Sequence, residues 1–411
     1  MMLASFSNWR FELHRIRLGG LLLVAGLLAA CGGGGAAAPA SPSAAAPSTA
    51  ASKPAAAPST SAAAPAGASA SAKPAASGAA SAAGSAAAKP AASGMTKVTV
   101  GLLASVSDAG IFIAQDHGYF KDQGIELDTQ RFQTLVDMVG PVGTGQIDIA
   151  AGAPAAGLYN AIGRDVPIKI VADKGSAPSP EWDFTGLVLR KDLIDSGKVK
   201  DYPDLKALRL VTSGKGNSPE VALAAALKKG GLTLKDIDFQ QMSFPDMIPA
   251  IANKGIDGGI VIEPFLSSIV ASGTGVAWKR NLDILGHNQQ IAIITYGQKF
   301  YSNQDLARRW MVAYVKALRD YNDAFGPKKK GYDDVVNILA KYTTVKDKNV
   351  YSKMTPAGLN PDGKLDVKSM QEDVDYYVSA GYMKEPLDVS KLVDSSYQEY
   401  AVQQLGPYKP A

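Results

Sequence analysis

The sequence predicts an α/β fold of two lobes, each built on a mostly parallel sheet flanked by helices. Three observations lead to this prediction. Strand-like and helix-like segments alternate from residue 97 onward. Their order is then repeated further along the chain. Within the two copies, residues 137–148 and 246–257 both begin with Asp-Met and reach Ile-Asp at the same spacing.

The first copy of the pattern occupies residues 97–173. Apolar or alternating runs predict strands, and apolar residues at helical spacing predict the segments between them. The second of these helices is expected to end near Pro141, and the third has a proline near its start. Predicted strands are KVTVGLLA (97–104), IELDTQRF (125–132), IDIAAG (147–152) and PIKIVAD (167–173); predicted helices are AGIFIAQDHGYFKDQG (109–124), QTLVDMVGPVGTG (133–145) and APAAGLYNAIGRD (153–165).

The second copy begins at residue 208 and follows the same order. Its first helix is expected to have Ser218 as N-cap, Pro219 at the first helical position and Gly230 at its end. Predicted strands are LRLVTSG (208–214), IDFQQMSF (237–244) and IDGGIVIE (256–263); predicted helices are NSPEVALAAALKKGG (217–231), PDMIPAIANKG (245–255) and PFLSSIVASG (264–273). Because the Asp-Met match lies inside matching strand–helix orders, it indicates two related lobes. Residues 299–411 are predicted to be mostly helical.

The amino terminus has the features of a lipoprotein signal. Three arginines and a histidine precede an apolar run, residues 18–30, that is too short to span a bilayer comfortably. The chain's only cysteine, Cys31, follows Leu28-Ala29-Ala30, which resembles the bacterial lipobox. We therefore predict a signal peptide at 1–30 and lipidation of Cys31. An ordinary signal peptide or an uncleaved signal anchor is the alternative.

Residues 31–94 are predicted to be a disordered tether. From residue 36 to residue 94 the chain uses only Ala, Ser, Pro, Gly, Thr and Lys, which cannot bury enough apolar surface to offset the entropy of ordering. Such a segment would reach about 40–45 Å as a random coil. Without the charges of residues 1–94 the remaining chain has 36 basic and 37 acidic residues. This balance argues against nucleic-acid binding.

The residue inventory excludes several kinds of site. Beyond residue 94 there is no cysteine, and the only histidines are His117 and His287. Thiolate metal sites and Cys/His nucleophilic catalysis are therefore excluded, and a His-rich metal site is not expected. No nucleophile elbow, phosphate loop or dinucleotide fingerprint is present. We predict no catalytic residues, no metal and no cofactor.

Residues 97–411 resemble a known family. The motifs AQDHGYFKDQGIELD, GTGQIDIAAG and EPF are similar to those of substrate-binding proteins of bacterial ABC importers, in the nitrate, sulfonate, taurine and thiamine-pyrimidine-precursor group. The resemblance implies the type II periplasmic-binding-protein fold, in which two lobes close on a ligand. Lobe one would comprise residues 97–187 plus 292–411, and lobe two residues 188–291. The two crossovers would be residues 185–191 and 290–297.

A ligand of such a fold is expected beyond the carboxyl ends of strands, at helix amino termini. Three loops occupy that position, and the third is glycine-rich with Lys215 nearby, a pattern suited to anions. Glu263, at the end of a strand of lobe two, would face the cleft. For each loop, ordinary turn and capping chemistry is the structural alternative. The candidate ligand-binding residues are Ser105, Ser107, Asp108, Gly152, Ala153, Pro154, Ser213, Gly214, Gly216, Asn217, Ser218 and Glu263.

The resemblance implies a receptor outside the cytoplasm that captures a small anionic or polar organic solute, such as a sulfonate, a nitrate-like ion, a carboxylate or a pyrimidine. Its expected partners are the solute, a membrane permease with a separate ATPase, and the membrane itself through the lipid anchor. It is expected to be a monomer. A ligand-sensing ectodomain or an extracellular enzyme on the same fold is the alternative.

Overall fold

The computed structural model describes residues 94–411. The predicted signal peptide, Cys31 and all but the last residue of the predicted tether lie outside the described residues. Within residues 94–411, no helix combines the length and the apolar character needed to cross a membrane.

Within the described residues, ten strands form two five-stranded sheets. The strands are β1 (Thr96–Leu102), β2 (Ile125–Arg131), β3 (Ile149–Gly152), β4 (Ile168–Ser176), β5 (Thr185–Arg190), β6 (Arg209–Thr212), β7 (Asp238–Gln241), β8 (Gly258–Ile262), β9 (Gly275–Arg280) and β10 (Gln290–Gly297).

Fifteen α-helices accompany these strands in the described part of the chain. They are α1 (Ala109–Asp116), α2 (Tyr119–Asp122), α3 (Leu135–Gly143), α4 (Ala156–Ile162), α5 (Lys191–Asp195), α6 (Ser218–Lys229), α7 (Phe244–Ala252), α8 (Phe265–Ala271), α9 (Asn281–Leu285), α10 (Gln298–Tyr301), α11 (Gln304–Phe325), α12 (Tyr332–Tyr342), α13 (Lys348–Lys353), α14 (Val367–Ser379) and α15 (Ser396–Leu405).

The two sheets have the same topology. The first has the order β2-β1-β3-β10-β4 and the second the order β7-β6-β8-β5-β9. In each sheet four strands share one direction, and the fourth strand in the order, β10 or β5, runs antiparallel to both of its neighbours. The prediction of two α/β lobes with mostly parallel sheets is confirmed.

The internal repeat is also present in atomic detail. Helices α3 and α7 occupy the two Asp-Met segments and lead into β3 and β8. In the first copy Asp148 accepts a hydrogen bond from the backbone N–H of Thr99 at 2.8 Å, and in the second Asp257 accepts one from Arg209 at 2.8 Å. Each aspartate thus ties the start of one strand to the neighbouring strand, which explains why both copies end in Ile-Asp.

The chain passes between the two sheets through residues 177–184 and 281–289. The segments predicted as crossovers, 185–191 and 290–297, coincide with β5 and β10, so each lies within a sheet rather than between the two. The predicted lobe boundaries remain a prediction.

One helix boundary predicted from the sequence was wrong. The N-cap of α6 is Asn217, whose side chain accepts a hydrogen bond from the backbone of Glu220, so that Ser218 is already helical. Helix α3 ends at Gly143, two residues beyond Pro141 and close to its predicted end. A proline removes one backbone hydrogen bond and its ring crowds the carbonyl four residues back, and here both effects fall in the last turn of the helix.

The core of the first lobe is built largely around α11. Its apolar side chains Trp310, Tyr314 and Leu318 are fully buried, and it packs against α1, α2 and α15. In the second lobe, α6 covers one face of the sheet with Leu223 and Leu227, which are also fully buried. Buried helices thus pack on both sheets, and the carboxyl ends of the strands remain available to form a site.

Candidate functional site

A cavity of about 380 Å³ lies at the carboxyl ends of strands from both sheets. Its wall consists of segments that follow β1, β2 and β3 in the first sheet and β6 and β7 in the second. This is the position at which open α/β sheets bind ligands. The lining residues are Leu103, Gln133, Thr134, Leu135, Val136, Asp137, Ala153, Ala155, Ser213, Gly214, Lys215, Asn217, Gln241, Met242 and Ser243.

Three helices of nine or more residues begin at this cavity. Their N-caps, Thr134 of α3, Asn217 of α6 and Ser243 of α7, all belong to the lining. The amino end of a helix has free N–H groups and a positive potential. Contributions from both sheets therefore make the cavity wall favourable for negative charge or for hydrogen-bond acceptors.

Two charged side chains line the cavity, Lys215 and Asp137, and both are solvent-exposed. The Asp137 carboxylate accepts hydrogen bonds at 2.9 Å from the backbone N–H and the hydroxyl of Thr134, and thereby caps α3. The backbone N–H of Lys215 donates to Gln241 at 3.2 Å. Asp137 is thus held in a capping interaction, whereas Lys215 has no ion-pair partner among the described residues.

Four of the predicted ligand-binding residues line the cavity: Ala153, Ser213, Gly214 and Asn217. Asn217 is 3% exposed, and its amide donates to the hydroxyl of Ser213 at 3.2 Å. A Cβ on Gly214 would lie 3.1 Å from Asn217 Nδ2, so glycine allows the loop to fold this closely. The Ser213–Asn217 segment is therefore the part of the prediction that the structure places at the cavity.

The first predicted loop lies elsewhere. Ser105, Ser107 and Asp108 are buried and do not line the cavity. Asp108 forms an ion pair of 2.9 Å with Lys174, which is 1% exposed and also donates to the hydroxyl of Ser107 at 2.7 Å. Ser105 completes the cluster by donating its backbone N–H to Asp108 at 2.9 Å. Ser107 and Asp108 thus contact the buried ammonium group of Lys174, and Ser105 holds Asp108 in place.

Other predicted residues hold the two lobes together. The carbonyl of Gly216 accepts from the N–H of Ala156 at 2.7 Å, and the carbonyl of Pro154 accepts from the N–H of Ser218 at 3.2 Å. Ser218 also donates its hydroxyl to the carbonyl of Ile291 at 3.0 Å.

Two further predicted residues are packed away from the cavity. Gly152 is buried in β3, where a Cβ would lie 2.9 Å from that of Leu135. Glu263 is fully buried and accepts hydrogen bonds from the backbone and hydroxyl of Ser267 at 2.9 and 3.0 Å. Burial raises the pKa of Glu263, against the opposing effect of its hydrogen bonds and of Arg280, 3.6 Å away. This carboxylate fixes the start of α8 and does not line the cavity.

Two cavity segments were missed from the sequence, namely residues 133–137 after β2 and residues 241–243, which begin with the last residue of β7. Both segments adjoin the carboxyl ends of strands that the sequence pattern predicts. The expectation that ligands bind beyond such strand ends therefore applies to them as well. Among residues 94–411, no cluster of three or more His, Cys, Asp or Glu side chains is arranged to hold a metal ion.

Comparison with known proteins gives a consistent result. The model of the family described as NMT1/THI5 like matches residues 106–323. A Brucella abortus (strain 2308) protein named as a binding protein is 25% identical over 303 residues, which cover 71% of this chain and 88% of that protein. A 4-amino-5-hydroxymethyl-2-methylpyrimidine phosphate synthase of Schizosaccharomyces pombe is 29% identical over 153 residues, or 37% of this chain and 40% of the enzyme.

Solved structures share the fold. The periplasmic nitrate-binding protein NrtA from Synechocystis PCC 6803 superposes with a TM-score of 0.63 at 16% identity, over 76% of this chain and 89% of that protein. The alkanesulfonate-binding protein SsuA from Xanthomonas axonopodis pv. citri superposes with a TM-score of 0.59 at 16% identity, over 74% and 100% of the two chains.

Proposed function

We propose, from the premise that this chain belongs to the NMT1/THI5-like family, that it is the solute-binding receptor of an ABC importer. The family resemblance seen in the sequence is confirmed by that membership. The receptor would capture a small solute between its lobes and deliver it to a membrane permease, whose ATPase is a separate protein.

The observation that carries this proposal is the cavity itself. Its wall contains strand ends from both sheets, so a solute bound there would touch both lobes at once. A ligand with contacts on both lobes favours the closed arrangement over the open one, because it gains interactions only when the lobes approach each other. This is the property that a receptor working by lobe closure requires.

We propose that the solute is small and anionic or polar. Three helix amino termini and Lys215 supply positive potential and N–H donors, while Gln133, Ser213 and Gln241 add neutral hydrogen-bonding groups. Sulfonates, nitrate-like ions, carboxylates and pyrimidines all fit this description. The nitrate-binding and alkanesulfonate-binding names of the structural neighbours support this range of ligands.

A thermal-shift screen of the full-length chain with alkanesulfonates, nitrate, carboxylates and pyrimidines tests the proposal. A true ligand raises the melting temperature, and the rise continues to grow with the logarithm of the ligand concentration above the dissociation constant. Lys215→Met should reduce the shift given by an anion, whereas Lys235→Met, an exposed lysine outside the cavity, should leave it unchanged. Ala153→Trp should abolish every shift by filling the cavity. If Ala153→Trp retained the full response, the solute would bind elsewhere.

We further propose that Cys31 is acylated and that residues 31–94 tether a monomeric receptor to the outer face of the cell membrane. The motif around Cys31 supports this anchor. Two or more acyl chains would hold the protein stably, at about 0.8 kcal/mol for each buried methylene. Cys31→Ser should move the protein from the membrane fraction to the soluble fraction while its solute-induced thermal shift is retained.

An enzyme on the same fold is the second candidate, because a pyrimidine phosphate synthase is among the relatives. That similarity covers only 40% of the enzyme, and this chain has no cysteine beyond Cys31. Incubating the full-length chain with each solute that shifts its melting temperature, followed by mass spectrometry, separates the two functions. A receptor returns the solute unchanged, whereas a converted product would favour the enzyme.

A further inference from the structure

A second cavity, of about 360 Å³, lies beside the two segments that connect the lobes. We call it the hinge cavity. Pro178 and Trp182 of the first connection line it, as does Asn288 of the second. The remaining wall comes from Ser176 of β4, Asn322 of α11, and residues 358–361 and 364–366. It shares no lining residue with the cavity between the strand ends.

The hinge cavity presents oriented amide groups. Asn322 donates its Nδ2 to the carbonyls of Leu318 and Leu359 at 2.7 and 2.8 Å, which leaves its Oδ1 without a hydrogen-bond partner in the described structure. Asn360 has the opposite arrangement: its Oδ1 accepts from the backbone N–H of Asp362 at 3.0 Å, and its Nδ2 has no partner among residues 94–411. One acceptor and one donor, both fixed by their other bonds, are therefore free for a ligand.

The rest of the wall favours a neutral, amphipathic molecule. Trp182 is half-buried and supplies an aromatic surface. The charged lining residues are Lys364 and Asp366, one of each sign, so the wall has no net charge. An aromatic face beside amide donors and acceptors suits a ring with an apolar face and a rim of hydroxyl groups.

We propose that the hinge cavity is a second binding site, for a small neutral sugar, and that its occupancy is coupled to lobe closure. The coupling rests on the receptor function proposed above; the binding site itself does not.

Hydrogen bonds connect the cavity wall to both interlobe connections. Asn288 accepts from the N–H of Ala177 in the first connection at 2.9 Å and donates to Asp366 at 2.6 Å. Gln290, at the start of β10, accepts from the N–H of Asp366 at 2.8 Å and donates to Asp173 at 2.5 Å. Asp173 in turn accepts from the N–H of Asn360 at 2.7 Å. A lobe rotation that displaces Ala177 or Asn288 in the connections would therefore move Asp366 and change the shape of the cavity.

Coupling then follows from differential affinity. A sugar that fits the cavity in one lobe arrangement better than in the other must shift the balance between the two. By linkage, a solute bound in the cavity between the strand ends must change the affinity for the sugar by the same factor as the sugar changes the affinity for the solute.

Isothermal titration of the full-length chain with D-glucose, D-galactose, D-ribose and myo-inositol tests the binding site. We expect saturable binding of at least one of them, weakened tenfold or more by Trp182→Leu and by Asn360→Asp. Trp278→Leu is the matched control, because Trp278 is also half-buried but lies in β9, outside the cavity. Circular dichroism of each variant shows whether it folds, and two variants on separate walls keep the test valid if one does not.

Three results would overturn the proposal. The first is no saturable binding of any of the four compounds, and the second is binding by Trp182→Leu and Asn360→Asp as tight as that of the parent protein. The third is loss of binding in Ala153→Trp alone, which would place the sugar in the cavity between the strand ends. Failure of the receptor function is a separate outcome, in which the sugar still binds but no solute shifts the melting temperature. Coupling is tested by repeating the sugar titration with the cleft solute at saturation. An unchanged sugar affinity would contradict the coupling while leaving the site intact.

Discussion

Among residues 94–411, Lys174 is the most deeply buried lysine, and its environment accounts for a loop that the sequence had suggested as a ligand site. Its ammonium group forms an ion pair with Asp108 and donates a hydrogen bond to the hydroxyl of Ser107. The side chains of Lys174 and Asp108 are 1% and 0% exposed. Transferring both charges out of water is costly, so the pair contributes little net stability while it is intact. Removing one partner, in contrast, leaves an uncompensated charge in the interior.

Lys174→Met should therefore lower the free energy of unfolding by about 3–5 kcal/mol, because Asp108 loses its buried counter-charge. Urea unfolding measures the change. Lys169→Met is the control on the same strand: its partner Asp394 is partly exposed, and a loss of no more than about 1 kcal/mol is expected. Adding Asp108→Asn to Lys174→Met should restore part of the loss. A loss below 1 kcal/mol for Lys174→Met would show that the pair is not structural.

Asp183, in the first interlobe connection, gives a pH-dependent contribution to stability. It is 1% exposed, and burial raises its pKa to about 6, although it accepts a hydrogen bond from the backbone of Leu282 at 2.8 Å. Because the folded state holds this proton more tightly than the unfolded state does, stability falls as the pH rises from about 4 to about 6.

Asp183→Asn should remove that component, which amounts to roughly 2–3 kcal/mol across the interval. The unfolding free energy measured at pH 4, 5, 6 and 7 should fall less steeply with pH in the variant than in the parent. Asp165→Asn, at an exposed turn, should retain the parental slope. An identical slope in Asp183→Asn and the parent would contradict the assignment.

Two helical glycines differ in what surrounds them, and they show how closely the elements pack. A Cβ on Gly110 of α1 would lie 2.6 Å from Tyr314 and 2.8 Å from Leu318, both fully buried in α11. A Cβ on Gly140 of α3 would meet nothing within 4 Å. The first glycine permits the contact between two helices, and the second is not required by packing.

Gly110→Ala should destabilise the protein by about 1–3 kcal/mol, because the buried partners cannot move away without strain. Gly140→Ala should change the stability by less than about 0.5 kcal/mol, because the better helix propensity of alanine is offset by the steric clash of its Cβ with the ring of Pro141, which follows it in the helix. Chemical unfolding of the two variants, run side by side, checks both. A loss of stability in Gly110→Ala no larger than that in Gly140→Ala would refute the account of α1 and α11.

The alternation of segments was sufficient to predict most elements and the repeat, because a period of two or of 3.6 residues records which face of a segment is buried. Helix ends were less predictable. Ser218 and Asn217 are both good N-caps, and only the backbone at Asn217, extended with φ −125°, decides between them. In the candidate site, Ser213–Asn217 could be predicted from the strand that precedes it. The orientation of Ser105–Asp108, toward the cavity or toward the core, could not be predicted, because it depends on the contact with Lys174, which is distant in the sequence.

The two lobes are also joined by a contact that no local pattern indicates. Glu220 of α6 is fully buried and accepts hydrogen bonds from Tyr376 at 2.8 Å and Tyr382 at 3.1 Å. Both tyrosines belong to the carboxyl-terminal part of the chain, which packs on the first sheet. The contact therefore exists only in an arrangement in which the lobes lie close together, and it favours that arrangement without a ligand.

Replacing both tyrosines, as in Tyr376→Phe/Tyr382→Phe, should widen the molecule and weaken solute binding by about tenfold, or about 1.4 kcal/mol, because closure loses two hydrogen bonds to a carboxylate. Small-angle X-ray scattering of the solute-free protein and calorimetry with the cleft solute measure the two effects. Tyr408→Phe is matched to them, since Tyr408 also donates to a carboxylate, that of Asp323, but within one lobe. No change in either measurement would exclude a role of this contact in closure.

The position of β10 determines the order in which the molecule can be completed during synthesis. The second sheet is made of five consecutive strands, β5 to β9, and all of them have been synthesised once residue 280 is translated. The first sheet needs β10 between β3 and β4, so β4 has no partner strand until the whole second sheet has been made. The first lobe, whose strands are the first to be synthesised, is therefore the lobe whose sheet is completed last.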